Sequence, residues 1–316
     1  MQTYEFNGQQ SMSEAQIKTI KEAREWAFSY LKASNINDPI KELDFILSHV
    51  MQMDRSYLLA HLDKNLSPET LVCYQRLIKE RAQGIAFAHL THGREFMGLN
   101  FSINRDVFIP RPETELLVEE GLHWLKSNRD KLEKPVKIAD LCTGSGAVGL
   151  SLAYYGIKEV TQEVFVTLTD ISEPALQQAQ ENAIRLELAR YCQIGLSDLF
   201  QNLDWFHTDQ KFHLITVNPP YVKPEEYGQL SKEVQNEPAE ALLAFPDGLS
   251  FYRRIAREFK YYMERNGLLI MEVGDGQARR VSNIFSMRGY VTKISRDLGG
   301  KERAVLVFED FSGKMN

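Results

Sequence analysis

The stretch Val136-Lys137-Ile138-Ala139-Asp140-Leu141-Cys142-Thr143-Gly144-Ser145-Gly146-Ala147-Val148-Gly149 decides the fold. Its first seven residues read as a buried strand, and the glycines that follow turn the chain into a helix. Glycine lets a backbone pass close to a ligand, and such a turn presents amide N–H groups at a helix amino end. The spacing is Gly-x-Gly-x-x-Gly, at Gly144, Gly146 and Gly149. In a nucleotide-binding βαβ unit an acid that accepts from a ribose hydroxyl follows about twenty residues on. Here the next strand, Val164 to Leu168, ends at Asp170. Strand, glycine turn, helix and acid together predict a nucleoside-containing cofactor at the carboxyl edge of an open, mostly parallel α/β sheet.

NAD and S-adenosylmethionine both fit that much, and three features favour the second. Asp140, just before the glycines, is suited to the cationic amino-acid end of S-adenosylmethionine and unwelcome beside a pyrophosphate. A third strand, about Tyr191 to Leu196, ends in Ser197-Asp198-Leu199-Phe200, where Asp198 can accept from an adenine amino group while Leu199 packs on the ring. The chain closes with a strand at Leu268 to Val273, a helix from about Gln277 to Met287, and strands at Tyr290 to Ser295 and Ala304 to Phe308. The last two are joined by Gly299-Gly300 and predict an antiparallel hairpin. A terminal hairpin on a parallel sheet suits the methyltransferase version of the fold better than the dehydrogenase version.

A second edge of the same sheet is marked by Asn218-Pro219-Pro220-Tyr221, after the apolar run Phe212 to Val217. Two consecutive prolines end a strand by removing two ladder donors. The Asn218 side-chain oxygen and the Pro219 carbonyl are then two acceptors with no proline N–H competing for them, suited to the two hydrogens of one planar NH2 group. Tyr221 offers a flat face for stacking. An ordinary strand end with an Asn cap reads equally well from these four residues alone.

Elsewhere the sequence mostly sets bounds. The 316 residues are 43% hydrophobic and 25% charged, as in a globular protein, and the length suggests two domains. No apolar run approaches the ~18 residues of a membrane span, and Met1 to Ser13 is polar, so a cytoplasmic protein without membrane contact is expected. Three scattered cysteines and seven scattered histidines suggest no disulfide framework, metal site or catalytic triad. A net charge of −6 counts against gripping nucleic-acid backbone.

The amino-terminal part is read as helical: a start at Ser13 with Gln16 as capping box, a second helix from Asp38-Pro39, a short third from Asp54, and a fourth from Ser67-Pro68 to about Gln83, stopped by Gly84. Between about Ala88 and Asn104 short alternating runs around Gly98-Leu99 read as a β-hairpin. Then come Ile109-Pro110-Arg111-Pro112-Glu113-Thr114-Glu115, where the prolines present Arg111 rigidly as a free cation or leave it an exposed linker arginine, and an amphipathic helix to about Ser127.

With these residues in hand, the chain resembles the peptide chain release factor glutamine methyltransferases, the HemK/PrmC group. The resemblance rests on Asp140 to Gly146, Asn218 to Tyr221 and Ile109 to Glu115, with Asn236-Glu237-Pro238-Ala239-Glu240-Ala241-Leu242, Asp247-Gly248 and Asp297 to Arg303 in agreement. Cys142 departs from it, because the family usually has glycine there. The demanding turn positions are read as Gly144 and Gly146.

The resemblance implies a class I methyltransferase (residues 108–316) behind a helical substrate-recognition domain (1–87) and a hairpin linker (88–107). It implies methylation of the side-chain amide nitrogen of the glutamine in a release factor's Gly-Gly-Gln loop. Asn218, Pro219, Pro220 and Tyr221 would be catalytic; Asp140, Cys142, Thr143, Gly144, Ser145, Gly146, Asp170, Asp198, Leu199 and Asn218 would bind S-adenosylmethionine. A monomer is expected. The competing readings are an adenine amino-group methyltransferase acting on DNA or RNA, which shares the Asn-Pro-Pro-Tyr loop, and a non-catalytic S-adenosylmethionine-binding protein.

Overall fold

A computed structural model describes residues 14–203 and 211–309. The described chain divides into two compact units, one formed by residues up to His92 together with Ser231–Asn236, the other by Gly93–Leu230 and the remainder from Glu237.

The smaller unit is helical: α1 (Ile20–Ala33), α2 (Pro39–Met51), α3 (Arg55–Ala60), α4 (Pro68–Ala82) and α5 (Phe87–Thr91). Asp38, Asp54 and Ser67 cap α2, α3 and α4 as the sequence predicts. The first helix differs. Ser13 lies outside the described residues, and α1 starts only after Thr19, whose hydroxyl and Glu22 form a reciprocal capping box. The amides of Ile20 and Lys21 are satisfied by the Lys64 and Leu62 carbonyls, which fixes the start there. Ile20, Leu31, Leu43, Ile46, Leu47 and Ile78 fill the core. Inside it, Asp44 is fully buried between Arg24 and Arg55. Arg81, 3% exposed, is held by Glu42 and by Glu233 of the Ser231–Asn236 segment. One turn of helix, α5, stands where the sequence shows only the start of an alternating run; it is too short to have periodicity.

The larger unit opens with a hairpin, β1 (Gly93–Phe96) and β2 (Leu99–Ser102). Its turn is Met97-Gly98, one residue earlier than the pattern suggests, with φ of +52° and +68°. Both central residues are left-handed, the geometry that matches strand twist. Methionine tolerates it because Glu115 accepts from its N–H and Tyr155 donates to its carbonyl, each at 2.7 Å.

After α6 (Glu115–Asn128) the alternation expected of an α/β protein follows: β3 (Val136–Leu141), α7 (Ala147–Glu159), β4 (Val164–Asp170), α8 (Glu173–Arg185), β5 (Cys192–Leu196) and β6 (Phe212–Val217). Two short turns, α9 (Pro224–Tyr227) and α10 (Lys232–Gln235), lead to α11 (Ser250–Tyr262), β7 (Met263–Glu272), α12 (Ala278–Ser286), β8 (Tyr290–Arg296) and β9 (Glu302–Glu309). The seven strands run in the order β5-β4-β3-β6-β7-β9-β8. All neighbours are parallel except β7 with β9 and β9 with β8, so the predicted terminal hairpin is present and its second strand joins the sheet. β7 begins five residues before the predicted Leu268, because Met263 pairs with Phe212 before an irregular step resumes register at Leu268–Leu214. This is the class I methyltransferase arrangement anticipated from the sequence. Its strand order reverses direction between β3 and β6, and a crevice opens at their carboxyl ends, the position where open α/β sheets bind ligands.

No helix among the described residues is long and apolar enough to cross a membrane.

Candidate active site

A cavity of about 340 Å³ lies at that crevice, wholly within the larger unit. The glycine turn after β3 forms its floor. Thr143 N–H bonds the Thr169 carbonyl and Gly146 N–H the Thr143 carbonyl, closing the turn before α7 starts. Gly144 has φ +55° and a Cβ there would meet nothing within 4 Å, so the turn leaves open space on that side. Gly146, φ +82°, shapes the turn without lining the cavity: a Cβ would stand 2.9 Å from Leu150 Cδ1. Cys142 is also left-handed, φ +54°. The reading that confined the demanding positions to Gly144 and Gly146 is therefore corrected. A non-glycine residue at such a φ is uncommon, and this accounts for the glycine expected there. Burial pushes the Cys142 thiol pKa well up, so the thiol stays protonated.

Asp140 is 2% exposed at the end of β3. Its Oδ2 accepts from the Thr143 hydroxyl at 2.5 Å and Gly149 N–H at 3.0 Å, and its Oδ1 from the Thr216 hydroxyl at 2.8 Å. Burial outweighs these bonds and raises its pKa to about 6. Asp140 thus presents charge to the cavity while its oxygens are occupied by the protein's own donors. Asp170, at the end of β4, accepts from Gly144 N–H at 2.8 Å with one oxygen and Ser172 N–H at 3.0 Å with the other. Each oxygen keeps acceptor capacity for a further hydroxyl. Asp198 stands at the wall in an ion pair with Arg254 of α11 at 2.8 Å, beside Leu199.

On the other side of the reversal, β6 is buried along its whole length and delivers Asn218 to the wall. Asn218 is half-buried, and its carboxamide has no hydrogen-bond partner among the described residues. Pro220 and Tyr221 line the cavity; Pro219 is buried and does not. Tyr221 is gripped by the carboxyl end of β7 and the turn that leads from it into α12. Its carbonyl accepts from Gln277 Nε2 at 2.9 Å, and its hydroxyl reaches Glu272 Oε1 at 3.4 Å. Its ring lies so close to Gly274 that a Cβ there would be 2.9 Å from Cδ2.

The proline-flanked Arg111 is no free cation. It forms an ion pair with Glu237, whose side chain is fully buried and whose other oxygen accepts from Ile109 N–H at 3.1 Å. Pro110 and Thr114 from the same stretch reach the cavity wall. So do Ile171, Glu240, Phe251 and Arg254, which the sequence reading did not assign to the site. Ile171 had a signal, an apolar residue directly after a strand-end acid. Phe251 and Arg254 had none, since they are ordinary members of an amphipathic helix. Among the described residues no group of three or more His, Cys, Asp or Glu is placed to hold a metal.

Comparison with known proteins agrees with this geometry. Residues 22–91 match the PrmC N-terminal domain and residues 117–244 the methyltransferase small domain. A release factor glutamine methyltransferase of Clostridium acetobutylicum is 35% identical over 289 residues, covering 91% of this chain and 97% of the relative. One of Bacillus subtilis is 32% identical over 295 residues, covering 92% and 97%. Among solved structures, the hMettl16 catalytic domain in complex with the MAT2A 3′UTR hairpin 1 aligns with a TM-score of 0.54 over 91% of this chain and 92% of its own. At 13% identity it shares the fold alone.

Proposed function

The chain belongs to the release factor glutamine methyltransferase family, and from that premise we propose that Asn218 and the Pro219 carbonyl hold the side-chain amide of the Gly-Gly-Gln glutamine for methylation. The enzyme is an S-adenosylmethionine-dependent protein-glutamine N-methyltransferase acting on peptide chain release factors. The observation that carries the site assignment is the Asn218 carboxamide, without a hydrogen-bond partner among the described residues, at the cavity wall where a wholly buried strand ends.

The residues fit S-adenosylmethionine. Space lies open over Gly144, a Cβ-free floor; Asp170 has acceptor capacity for ribose; and the buried Asp140 carboxylate supplies negative charge near the turn. Asp198 with Leu199 would face the adenine, Arg254 fixing the Asp198 carboxylate. Cys142, Thr143 and Ser145 complete that wall. When bound, the cofactor supplies an electrophilic methyl group on a sulfonium.

An amide nitrogen is a poor nucleophile because its lone pair is delocalised into the carbonyl. Acceptors on its two N–H groups shift electron density back to nitrogen and fix its direction of approach, at a near-attack distance of ~3 to 3.5 Å. Asn218 has that task together with the backbone carbonyl of Pro219, whose ring is buried between the two lining residues Asn218 and Pro220, and Tyr221 is the stacking face. The nitrogen becomes more acidic as the new bond forms, so positioning and electrostatics carry the rate without a strong base. The helical unit is assigned to holding the release factor, and the enzyme to acting as a monomer in the cytoplasm. Protein rather than nucleic acid as substrate is supported by the net charge of −6.

The test supplies methyl-labelled S-adenosylmethionine to the enzyme with a release factor and with genomic DNA in separate tubes. Label is expected on the release factor and lost when its Gly-Gly-Gln glutamine is replaced. Label on DNA alone would overturn the substrate assignment and keep the loop's chemistry.

A further inference from the structure

Glu272 ends β7 directly behind the Asn218–Tyr221 turn. It is 2% exposed and does not line the cavity. Its backbone carbonyl accepts from the Tyr252 hydroxyl of α11 at 2.9 Å, which pins the strand end. Its Oε1 takes the Tyr221 hydroxyl at 3.4 Å, a long contact, and its Oε2 is buried with no partner among the described residues. A buried acceptor left unsatisfied costs its full desolvation, so a carboxylate in this position has a cost that its contacts do not offset. Thr114, in the proline-rich stretch, stands beside it, close enough to favour the carboxylate but without hydrogen-bond geometry; its Oγ1 is also buried and has no partner among the described residues. Thr114 and Tyr221 both line the cavity. A single carboxyl group therefore sits behind two cavity side chains and is in full contact with neither.

We propose that Glu272 is a positioning residue for methyl transfer: its ionised carboxylate fixes the Tyr221 hydroxyl, and with it the turn that presents Asn218, while protonation slackens that hold. The proposal rests on the methyltransferase reading above. The charged and titratable groups facing Glu272 are Arg303 from β9, which favours the carboxylate, and Glu113 from the turn before α6, which opposes it, together with the hydroxyls of Tyr221 and of Tyr252 from α11, the latter held protonated by burial. Burial is the largest influence and brings the Glu272 pKa to about 7, so the carboxyl changes state in the neutral range. The Tyr221 hydroxyl, pushed well up chiefly by its own burial, stays protonated throughout and is available as the donor. The turn has other holds in the Gln277 bond and the contact with Gly274, so loss of this one shifts Tyr221 without unfolding the loop.

The test is Glu272→Gln, which keeps the size and one acceptor but does not titrate. Single-turnover methylation of a release factor is followed from pH 6 to pH 8.5 at saturating S-adenosylmethionine, so that titration of Asp140 does not limit cofactor binding. The wild type is expected to show a one-proton rise in rate centred near pH 7. The variant is expected to be flat, slower at pH 8 by about tenfold, less than the ~hundredfold that a full 1 Å misplacement can cost, with unchanged affinity for S-adenosylmethionine. Its thermal midpoint at pH 8 is expected to equal or exceed the wild type's, since a buried charge has been removed. A merely structural role predicts the reverse pairing, a lower midpoint with the wild-type pH profile retained, and that result overturns the proposal. A second readout needs no turnover. The 13Cζ resonance of Tyr221, assigned through Tyr221→Phe, is expected to shift with the Glu272 proton in the wild type and stay fixed in Glu272→Gln. A resonance that titrates in both proteins overturns the coupling. A wild type that transfers no methyl would sink the function proposed above, while the resonance still judges the coupling.

Discussion

Replacing Asp140 by asparagine is expected to stabilise the free protein at alkaline pH while weakening its hold on S-adenosylmethionine. In the folded chain the Asp140 pKa rises from 3.8 to about 6, chiefly through burial. An acid whose pKa is raised by folding costs stability at every pH where the unfolded chain is ionised. The cost begins near pH 4 and is complete above pH 6. At 1.36 kcal/mol per unit it reaches about 3 kcal/mol at pH 8, and about half of it is already present at pH 5. Asparagine removes that cost and can be accommodated. Its oxygen in the place of Oδ2 keeps the Thr143 and Gly149 donors. Its NH2 in the place of Oδ1 faces the Thr216 hydroxyl, which can turn to accept, donating its own proton to the Ala139 carbonyl 3.4 Å away. Urea unfolding of wild type and Asp140→Asn at pH 5 and pH 8 reads the difference. The wild type should lose roughly 1 to 2 kcal/mol more than the variant across that interval. Calorimetric titration with S-adenosylmethionine should show weaker binding to the variant at pH 8. Parallel pH dependences in the two proteins, with equal cofactor affinity, would refute the assignment of a costly charge held for a cationic ligand.

Three further substitutions probe the rest of the site. Asn218→Ala should abolish methylation of a release factor while cofactor affinity changes little; a variant that keeps most of its turnover would sink the two-acceptor mechanism. Gly149→Ala places a Cβ 2.9 Å from Asp140 Cβ and Leu168 Cδ2 and 3.0 Å from Asp140 Oδ2. It should lower stability by about 1 to 2 kcal/mol despite the better helix propensity of alanine, and a raised melting temperature would contradict the packing argument. Arg111→Met strands the buried Glu237 carboxylate with only the Ile109 amide. A loss of about 3 kcal/mol is expected in denaturant unfolding, largely recovered in Arg111→Met/Glu237→Gln; a double variant no better than the single would exclude the ion pair as the cause.

The features legible in the sequence are those fixed by local backbone chemistry. Asp140 to Gly149 announces strand, turn and helix because glycine is needed where φ is positive, and the caps at Asp38, Asp54 and Ser67 act over three residues. The misses share a different cause. The continuous helix expected from the amino-terminal cap is broken at Ile17 to Thr19 and α1 starts at Ile20, because Lys64 and Leu62 supply acceptors from a loop more than forty residues away. The hairpin turn settled on Met97 because Glu115 and Tyr155 hold a left-handed methionine in place, where composition alone favours a glycine-centred turn one residue later. Cys142 was underrated for a related reason: the Gly-x-Gly-x-x-Gly spacing draws attention to its own glycines, whereas the left-handed position at Cys142 lies two residues upstream of them.

Partners separated by long stretches of chain explain why the proline-flanked arginine read as a free cation. Arg111 and Glu237 are 126 residues apart, and the sequence shows each as an odd residue in an odd setting without showing that they meet. The same holds for Tyr221 with Glu272 and Gln277. In both cases the distant acid or amide secures a loop at the cavity rather than entering the cavity itself. Cavity-facing residues such as Asn218 and Asp170 can be guessed from strand ends, since topology alone brings strand ends to the crevice. The residues that hold those loops still lie behind the wall and follow no periodic rule, so they emerge only once the sheet has brought β7 alongside β6 and the proline-rich stretch against Glu237. Mutational effects at Glu237, Glu272 and Gln277 should therefore be read first as changes in loop position, and a loss of turnover with intact cofactor binding at any of them is consistent with a site they never touch.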